Sequence, residues 1–203
     1  MAANLILTSR FPLLPNAGKL FAAGLVDDVH TRYLFDLEQQ ELLQLRSYGS
    51  MADFSAGINA LNADLERFAS HMSADVKREL LTYVEAPKPC VAPLPTTDYV
   101  QLRHVEVPPA RQADYRAWRE QTIFQVVRDN AEVEVFLAYH SLVSSQPGVM
   151  FFSGFSGPLP AYKAVFENDH YREIVCQAGD QYITDGPGGL YTRIYQRAGL
   201  VST

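Results

Sequence analysis

The amino-acid sequence predicts an α+β fold in which one pattern of strands and helices occurs twice. Three observations support this prediction. A proline-rich stretch divides the chain, apolar residues on either side of it follow strand or helix spacing, and the order of these segments is the same in both halves.

The proline-rich stretch is EAPKPCVAPLPTTDY at 85–99, with four prolines in the nine residues from Pro87 to Pro95. Because proline fixes φ and has no N–H to donate, this stretch favours an extended connection without a hydrogen-bond ladder. The sequence therefore predicts a first repeat at 1–86, a linker at 87–97 and a second repeat at 98–203, and the second repeat is expected to carry the site.

The second half shows its elements most clearly. Strand YVQLRHVEV ends at two prolines, and Tyr115 and Trp118 open an apolar stripe at helical spacing. The predicted elements are a strand at 99–107, a helix at 110–130, a hairpin of strands at 133–142 and 149–157, a helix at 158–179 and a last strand at 190–198.

The first half repeats this order in a shorter form. Its predicted elements are a strand at 4–11, a short helix at 16–29, a hairpin of strands at 31–37 and 41–49, a helix at 52–72 and a closing strand at 78–86. The order β-α-β-β-α-β is the ferredoxin-like plan. Each sheet would have helices on one face only, so we expect the two open faces to pack sheet to sheet as a barrel within one chain.

Composition narrows the classes of partner. The net charge is −6 with no run of Lys or Arg, which disfavours nucleic acid and anionic membrane surfaces. No apolar stretch approaches the roughly 20 residues of a membrane span, and the N-terminal segment is typical of a first strand, not of a signal peptide. Cys90 and Cys176 form no CxxC pair, so we expect free thiols and a cytoplasmic protein.

Two passages resemble a known superfamily. YVQLRHVEVPPARQADYRAW at 99–118 and FFSGFSGPLPAYKAVFENDHYREI at 151–174 are similar to dimeric α+β barrel proteins, which include the NIPSNAP and antibiotic-biosynthesis monooxygenase groups. The NIPSNAP type is the nearest likeness, with Gln101 where that family often has an acid. The resemblance implies a barrel that binds small molecules, and relatives include cofactor-free oxygenases and haem degraders.

Three residues are candidates for catalysis. Strand alternation places His104 and Arg103 on opposite faces, so only one of them can point into the barrel. His140 shares a mixed strand face with Phe136 and Ala138, as a ligand cavity would need. We expect His140 or His104 to act as a base and Arg103 to stabilise developing oxyanion charge. For both histidines, a structural role in or near the core remains the alternative.

Aromatic residues are abundant in the second half and would suit a flat, apolar ligand. The predicted substrate-binding residues are Phe136, Tyr139, Phe152 and Trp118. Histidine, cysteine and carboxylate spacing shows no HxxxH, HxH or CxxC, so we expect no local metal site.

The first functional expectation is a small-molecule enzyme that binds an aromatic or polyketide-like substrate in the barrel. Its reaction would be a cofactor-independent oxygenation or a proton-transfer rearrangement. Two alternatives remain open. One is haem binding, for which the resemblance implies His170 in the second helix as axial ligand, with His140 as the other candidate. The other is a non-catalytic interaction module, and in each case a homo-oligomer could form through sheet edges or helices.

Overall fold

The computed structural model describes residues 1–144, 146–186 and 190–200, and within them the chain forms eight strands and seven α-helices. The strands are β1 Leu5–Pro12, β2 Thr31–Asp36, β3 Glu41–Tyr48, β4 Lys77–Lys88, β5 Tyr99–Val105, β6 Val135–Val143, β7 Val149–Phe155 and β8 Leu190–Arg197. The helices are α1 Ala17–Phe21, α2 Met51–Ala56, α3 Ile58–Phe68, α4 Gln112–Gln121, α5 Ile123–Asp129, α6 Leu159–Glu167 and α7 Asp169–Gln181.

The strands close into one antiparallel barrel in the order β1-β3-β2-β8-β5-β7-β6-β4. Within this ring the first half contributes four adjacent strands in the order β4-β1-β3-β2, and the second half contributes β8-β5-β7-β6. Each group has the strand order of a ferredoxin-like sheet, so the predicted α+β barrel is confirmed. Two seams, β2 with β8 and β4 with β6, join the halves.

Both seams pair strand edges, so every described strand has a neighbour on each side. Association of copies through sheet edges would therefore require a ladder to open. The β4–β6 seam contains three register shifts, and an ion-pair cluster reinforces it. Glu85 of β4 accepts hydrogen bonds from the guanidinium groups of Arg116 and Arg119 on α4.

Apolar side chains pack the middle of the barrel interior. On β5, Val100, Leu102 and His104 face inward, while Gln101 and Arg103 face outward, as strand alternation requires. The interior cluster includes Ile6, Leu34, Leu43, Leu45, Leu81, Leu137 and Phe152, all almost fully buried. The sequence predicts a ligand inside the barrel, whereas in the structure this apolar cluster packs the middle of the barrel and the cavity described below lies outside it.

The helices cover the outer faces of the two sheets. Each long helix expected from periodicity is two helices in the structure, with breaks at Gly57, Thr122 and Asn168. Asn168 has extended backbone, and its side chain accepts the N–H of Tyr171, so it caps a new helix and ends the previous one. No helix among the described residues is long and apolar enough to cross a membrane.

Candidate functional site

A cavity of about 1380 Å³ lies between the outer face of the second sheet and the helices that cover it. Its floor is the outward face of β5, β6, β7 and β8, and its roof comes from α4 to α7. It opens beside the β2–β3 turn and the start of α1, where residues of the first half form part of the rim. Ligand sites in proteins are typically clefts of this kind, with apolar walls and a few polar groups.

Four side chains form a hydrogen-bonded group that joins the floor to the roof. Arg103 donates from Nε to Gln101 Oε1 at 2.6 Å and from Nη1 to the Tyr171 hydroxyl at 2.6 Å. Tyr162 donates its hydroxyl to Gln101 Oε1 at 2.8 Å. Gln101 and Arg103 come from β5, Tyr162 from α6 and Tyr171 from α7, so the group ties the sheet to its helices.

Arg103 is half-buried, and no carboxylate among the described residues pairs with it. Its guanidinium lies 3.9 Å from the centre of the Phe166 ring, which offers a cation–π contact but no charge neutralisation. A cation in this setting attracts an anion or the negative end of a dipole. The floor therefore suits an oxygen atom that carries negative charge.

Aromatic rings make up much of the remaining wall. Phe136 and Phe151 lie side by side on the sheet with centroids 5.4 Å apart, and Phe166 faces them from α6. Tyr115 of α4 is 2% exposed, and Arg119 lies behind it with its guanidinium 5.4 Å from the ring centre. A flat aromatic ligand would find ring faces and edges on several sides.

Burial keeps the hydroxyls of Tyr162 and Tyr115 protonated by raising the pKa of each. It raises the pKa of Tyr162 to about 12, against a smaller opposing effect of the nearby Arg103 charge. Burial also raises the pKa of Tyr115, with Arg119 opposing the shift. These phenols are hydrogen-bond donors at neutral pH and not bases.

The mouth of the cavity is charged. Arg193 of β8 donates to Glu41 at 2.9 Å, and the Tyr195 hydroxyl donates to the same carboxylate oxygen at 2.6 Å. Lys163 and Glu167 stand on α6 at the rim. Of these groups, Glu41, Arg193, Lys163 and Glu167 line the cavity with charges of both signs, whereas Tyr195 is fully buried in the barrel interior.

The structure places two of the sequence-predicted residues in the cavity wall, Arg103 and Phe136. His104 instead faces the barrel interior, where it is buried and its Nε2 donates to the Pro147 carbonyl at 3.0 Å. Tyr139 and Phe152 belong to the interior cluster, with ring centroids 5.4 Å apart. None of these three lines the cavity.

The remaining predicted residues lie near the surface. His140 is half-buried at the end of β6, where Nδ1 donates to the Ser141 carbonyl and Nε2 accepts from the Gln112 amide. Trp118 stacks on Tyr115 and borders a shallow recess outside the cavity. His170 is exposed in the first turn of α7 and is not among the lining residues.

Sequence reasoning missed Gln101, Tyr162, Tyr171 and Phe166 as members of the site. The alternation of side chains along β5 does place Gln101 and Arg103 on one face, so the sequence indicates that these two side chains are neighbours. The tyrosines could be assigned to helix stripes but not to a common cavity. No group of three or more His, Cys, Asp or Glu residues able to hold a metal occurs in the described part of the chain, and Cys90 and Cys176 are free thiols.

Comparison with known proteins shows the fold. No family model matches the chain, and no curated protein matches it. An anthrone oxidase-like protein superposes with a TM-score of 0.68 at 12% identity, over 95% of this chain and 90% of that one. A provisionally assigned monooxygenase of Lactobacillus acidophilus has a TM-score of 0.63 at 13% identity, over 96% and 93%.

A third solved structure is a haem-degrading enzyme of Listeria monocytogenes. It has a TM-score of 0.53 at 5% identity, over 95% of this chain and 98% of that chain. At such identities the similarity concerns architecture alone. The chain therefore shares its fold with these proteins, and its chemistry depends on the residues of its own cavity.

Proposed function

We propose that the protein is a small-molecule enzyme that binds an aromatic, polyketide-like substrate in the cavity between the second sheet and its helices. The observation that supports this most is Arg103, a half-buried cation without a carboxylate partner among the described residues, set among aromatic rings. An aromatic body would contact Phe136, Phe151 and Phe166. A carbonyl or phenolic oxygen would face Arg103.

The proposed reaction is cofactor-independent oxygenation of an activated ring carbon. In an anthrone, that carbon loses a proton and the negative charge is delocalised onto the carbonyl oxygen, where Arg103 stabilises it. The electron pair of the carbanion reduces dioxygen, and a carbon–oxygen bond forms as a peroxide. The peroxide oxygen takes up the proton, and loss of water leaves the quinone. Anthrone and O2 thus give anthraquinone and water.

The hydrogen-bonded group around Arg103 supplies hydrogen-bond donors to the ligand but no group that could take its proton. Arg103 cannot accept a proton, and the Tyr162 phenol is protonated by virtue of its raised pKa. His104 and His140 do not line the cavity, so they take no part in this proposal. The protein would act by lowering the energy of the oxyanion, and water at the charged mouth would receive the first proton.

Oxygen consumption with anthrone tests the proposal. The wild-type protein should consume one O2 per anthrone faster than buffer alone. Arg103→Met should lower kcat by about 10²–10³-fold, the usual cost of removing one oxyanion donor. Arg172→Met, on the exposed side of α7 and not among the lining residues, should change the rate little. Binding of anthrone without oxygen consumption would instead favour the non-catalytic alternative, and neither binding nor consumption would overturn the proposal.

Haem binding is less well supported by the placement of residues. The exposed position of His170 puts the expected axial ligand outside the cavity, and no histidine lies among the lining residues. The cavity residues therefore do not fit a histidine-ligated haem. Haem titration is a simple control, in which no His170-dependent Soret band should appear.

A further inference from the structure

The tripeptide Gln-Leu-Arg occurs twice in the chain, at 44–46 on β3 and at 101–103 on β5. In both places the leucine points into the barrel, because Leu45 and Leu102 belong to the interior cluster. The glutamine and arginine of each tripeptide therefore share the outward face beneath the helices. The two strands present the same pair of polar side chains to their helix layers.

The first pair holds a carboxylate that the protein itself supplies. Asp64 of α3 faces the sheet and is buried, and its Oδ2 accepts from Gln44 Nε2 at 2.9 Å and from Arg46 Nη2 at 2.8 Å. One oxygen anion thus bridges the amide and the guanidinium. The first half shows how an outward Gln-Leu-Arg face binds a carboxylate in this protein.

The second pair lacks this carboxylate. The buried residues of α6 and α7 are aromatic, aliphatic or glycine, with no acid among them. Arg103 Nε can only donate, so the Gln101 atom that faces it must be the carbonyl oxygen, and this fixes the amide orientation. Gln101 Nε2 and Arg103 Nη2 then have no acceptor among the described residues. These are the same two atoms that hold Asp64 in the first half.

We propose that Gln101 Nε2 and Arg103 Nη2 together bind one anionic oxygen of the ligand, as Gln44 and Arg46 bind Asp64. The ligand is then an aromatic compound with an ionised oxygen, a carboxylate or a phenolate, and Gln101 is a specificity-determining residue. This inference rests on the proposed aromatic cavity. It adds that the site selects the anion over its neutral analogue, because buried donors to a charged acceptor make the stronger hydrogen bonds.

Binding of 2-naphthoate and 2-naphthamide to the full chain tests the inference, since the two probes share a ring and differ in charge. Isothermal titration calorimetry should show naphthoate bound about tenfold more tightly or better, as a charged hydrogen bond predicts. Gln101→Glu should abolish this preference, because a carboxylate at position 101 would pair with Arg103 in place of the ligand. Gln101→Met removes the donor without adding charge and should lower naphthoate affinity more than naphthamide affinity.

The control is Gln125→Glu, which adds the same charge on the exposed side of α5 and should leave the preference unchanged. Circular dichroism of each variant verifies that it folds. Equal binding of both probes to the wild type, or a preference that survives in both Gln101 variants, would overturn the inference and leave the aromatic cavity standing. If neither probe nor anthrone bound, the proposed function itself would fail.

Discussion

Replacing Asp64 by alanine should destabilise the protein and create a carboxylate site in the first half. Arg46 and Asp64 have side chains only 16% and 11% exposed. Breaking a buried ion pair costs about 3–5 kcal/mol, and this partly solvated pair should lie near 3 kcal/mol. For a chain of this size each kcal/mol shifts Tm by about 2–4 °C, so Tm should fall by about 6–12 °C.

Small carboxylates should then restore part of the loss. If acetate binds the vacated Gln44–Arg46 pair with a Kd on the order of 10 mM, 100 mM acetate stabilises the variant by about 1.4 kcal/mol, or about 3–6 °C. Differential scanning fluorimetry with sodium chloride at matched ionic strength measures this. The control is Glu66→Ala, an exposed acid on the same helix. A Tm within about 2 °C of wild type, or equal acetate responses in both variants, would refute the reasoning.

Three further predictions concern the second half. Arg103→Met should lower Tm by only a few degrees, about 1 kcal/mol, because no ion pair is broken, although it should abolish the naphthoate preference; a Tm loss as large as that of Asp64→Ala would contradict this. Glu85→Gln should cost about 3 kcal/mol in urea unfolding, because it leaves the 2%-exposed Arg119 without its carboxylate, and a loss under about 1 kcal/mol would count against the seam contact. Burial raises the pKa of Tyr162 from 10.0 in the unfolded chain to about 12 in the folded protein, so the protonated phenol contributes fully to the free energy of unfolding below pH 10. The stability measured by urea unfolding should therefore fall as the pH rises from 10 toward 12. A stability that does not change over this interval would contradict the raised pKa.

The architecture was largely predictable because periodicity and turn residues are local signals. The hairpin of β6 and β7, the strand at 99–107 and the order of elements follow from alternation and breakers read directly from the chain. The helix breaks were not predicted, because Asn168 and Thr122 fit a helical stripe by polarity while their backbone conformations end the helix. The polarity of a residue does not indicate whether its backbone will leave the helical conformation.

The position of the cavity was not predictable in the same way. Alternation on β5 correctly separates Arg103 from His104, but it does not say which face is packed and which is open. That choice depends on side-chain volume summed over eight strands, which fill the interior around Leu102 and Phe152 and leave space under the helices. Tyr162 contacts Gln101 and Tyr171 contacts Arg103 from helices that lie 61 and 68 residues further along the chain, and no local pattern indicates this proximity.

A crystal structure of the protein with 2-naphthoate tests the central claim most directly. The naphthyl ring should lie between Phe136, Phe151 and Phe166, with one carboxylate oxygen about 3 Å from both Gln101 Nε2 and Arg103 Nη2. Naphthoate bound inside the barrel beside His104, or in the recess beside Trp118, would contradict the account.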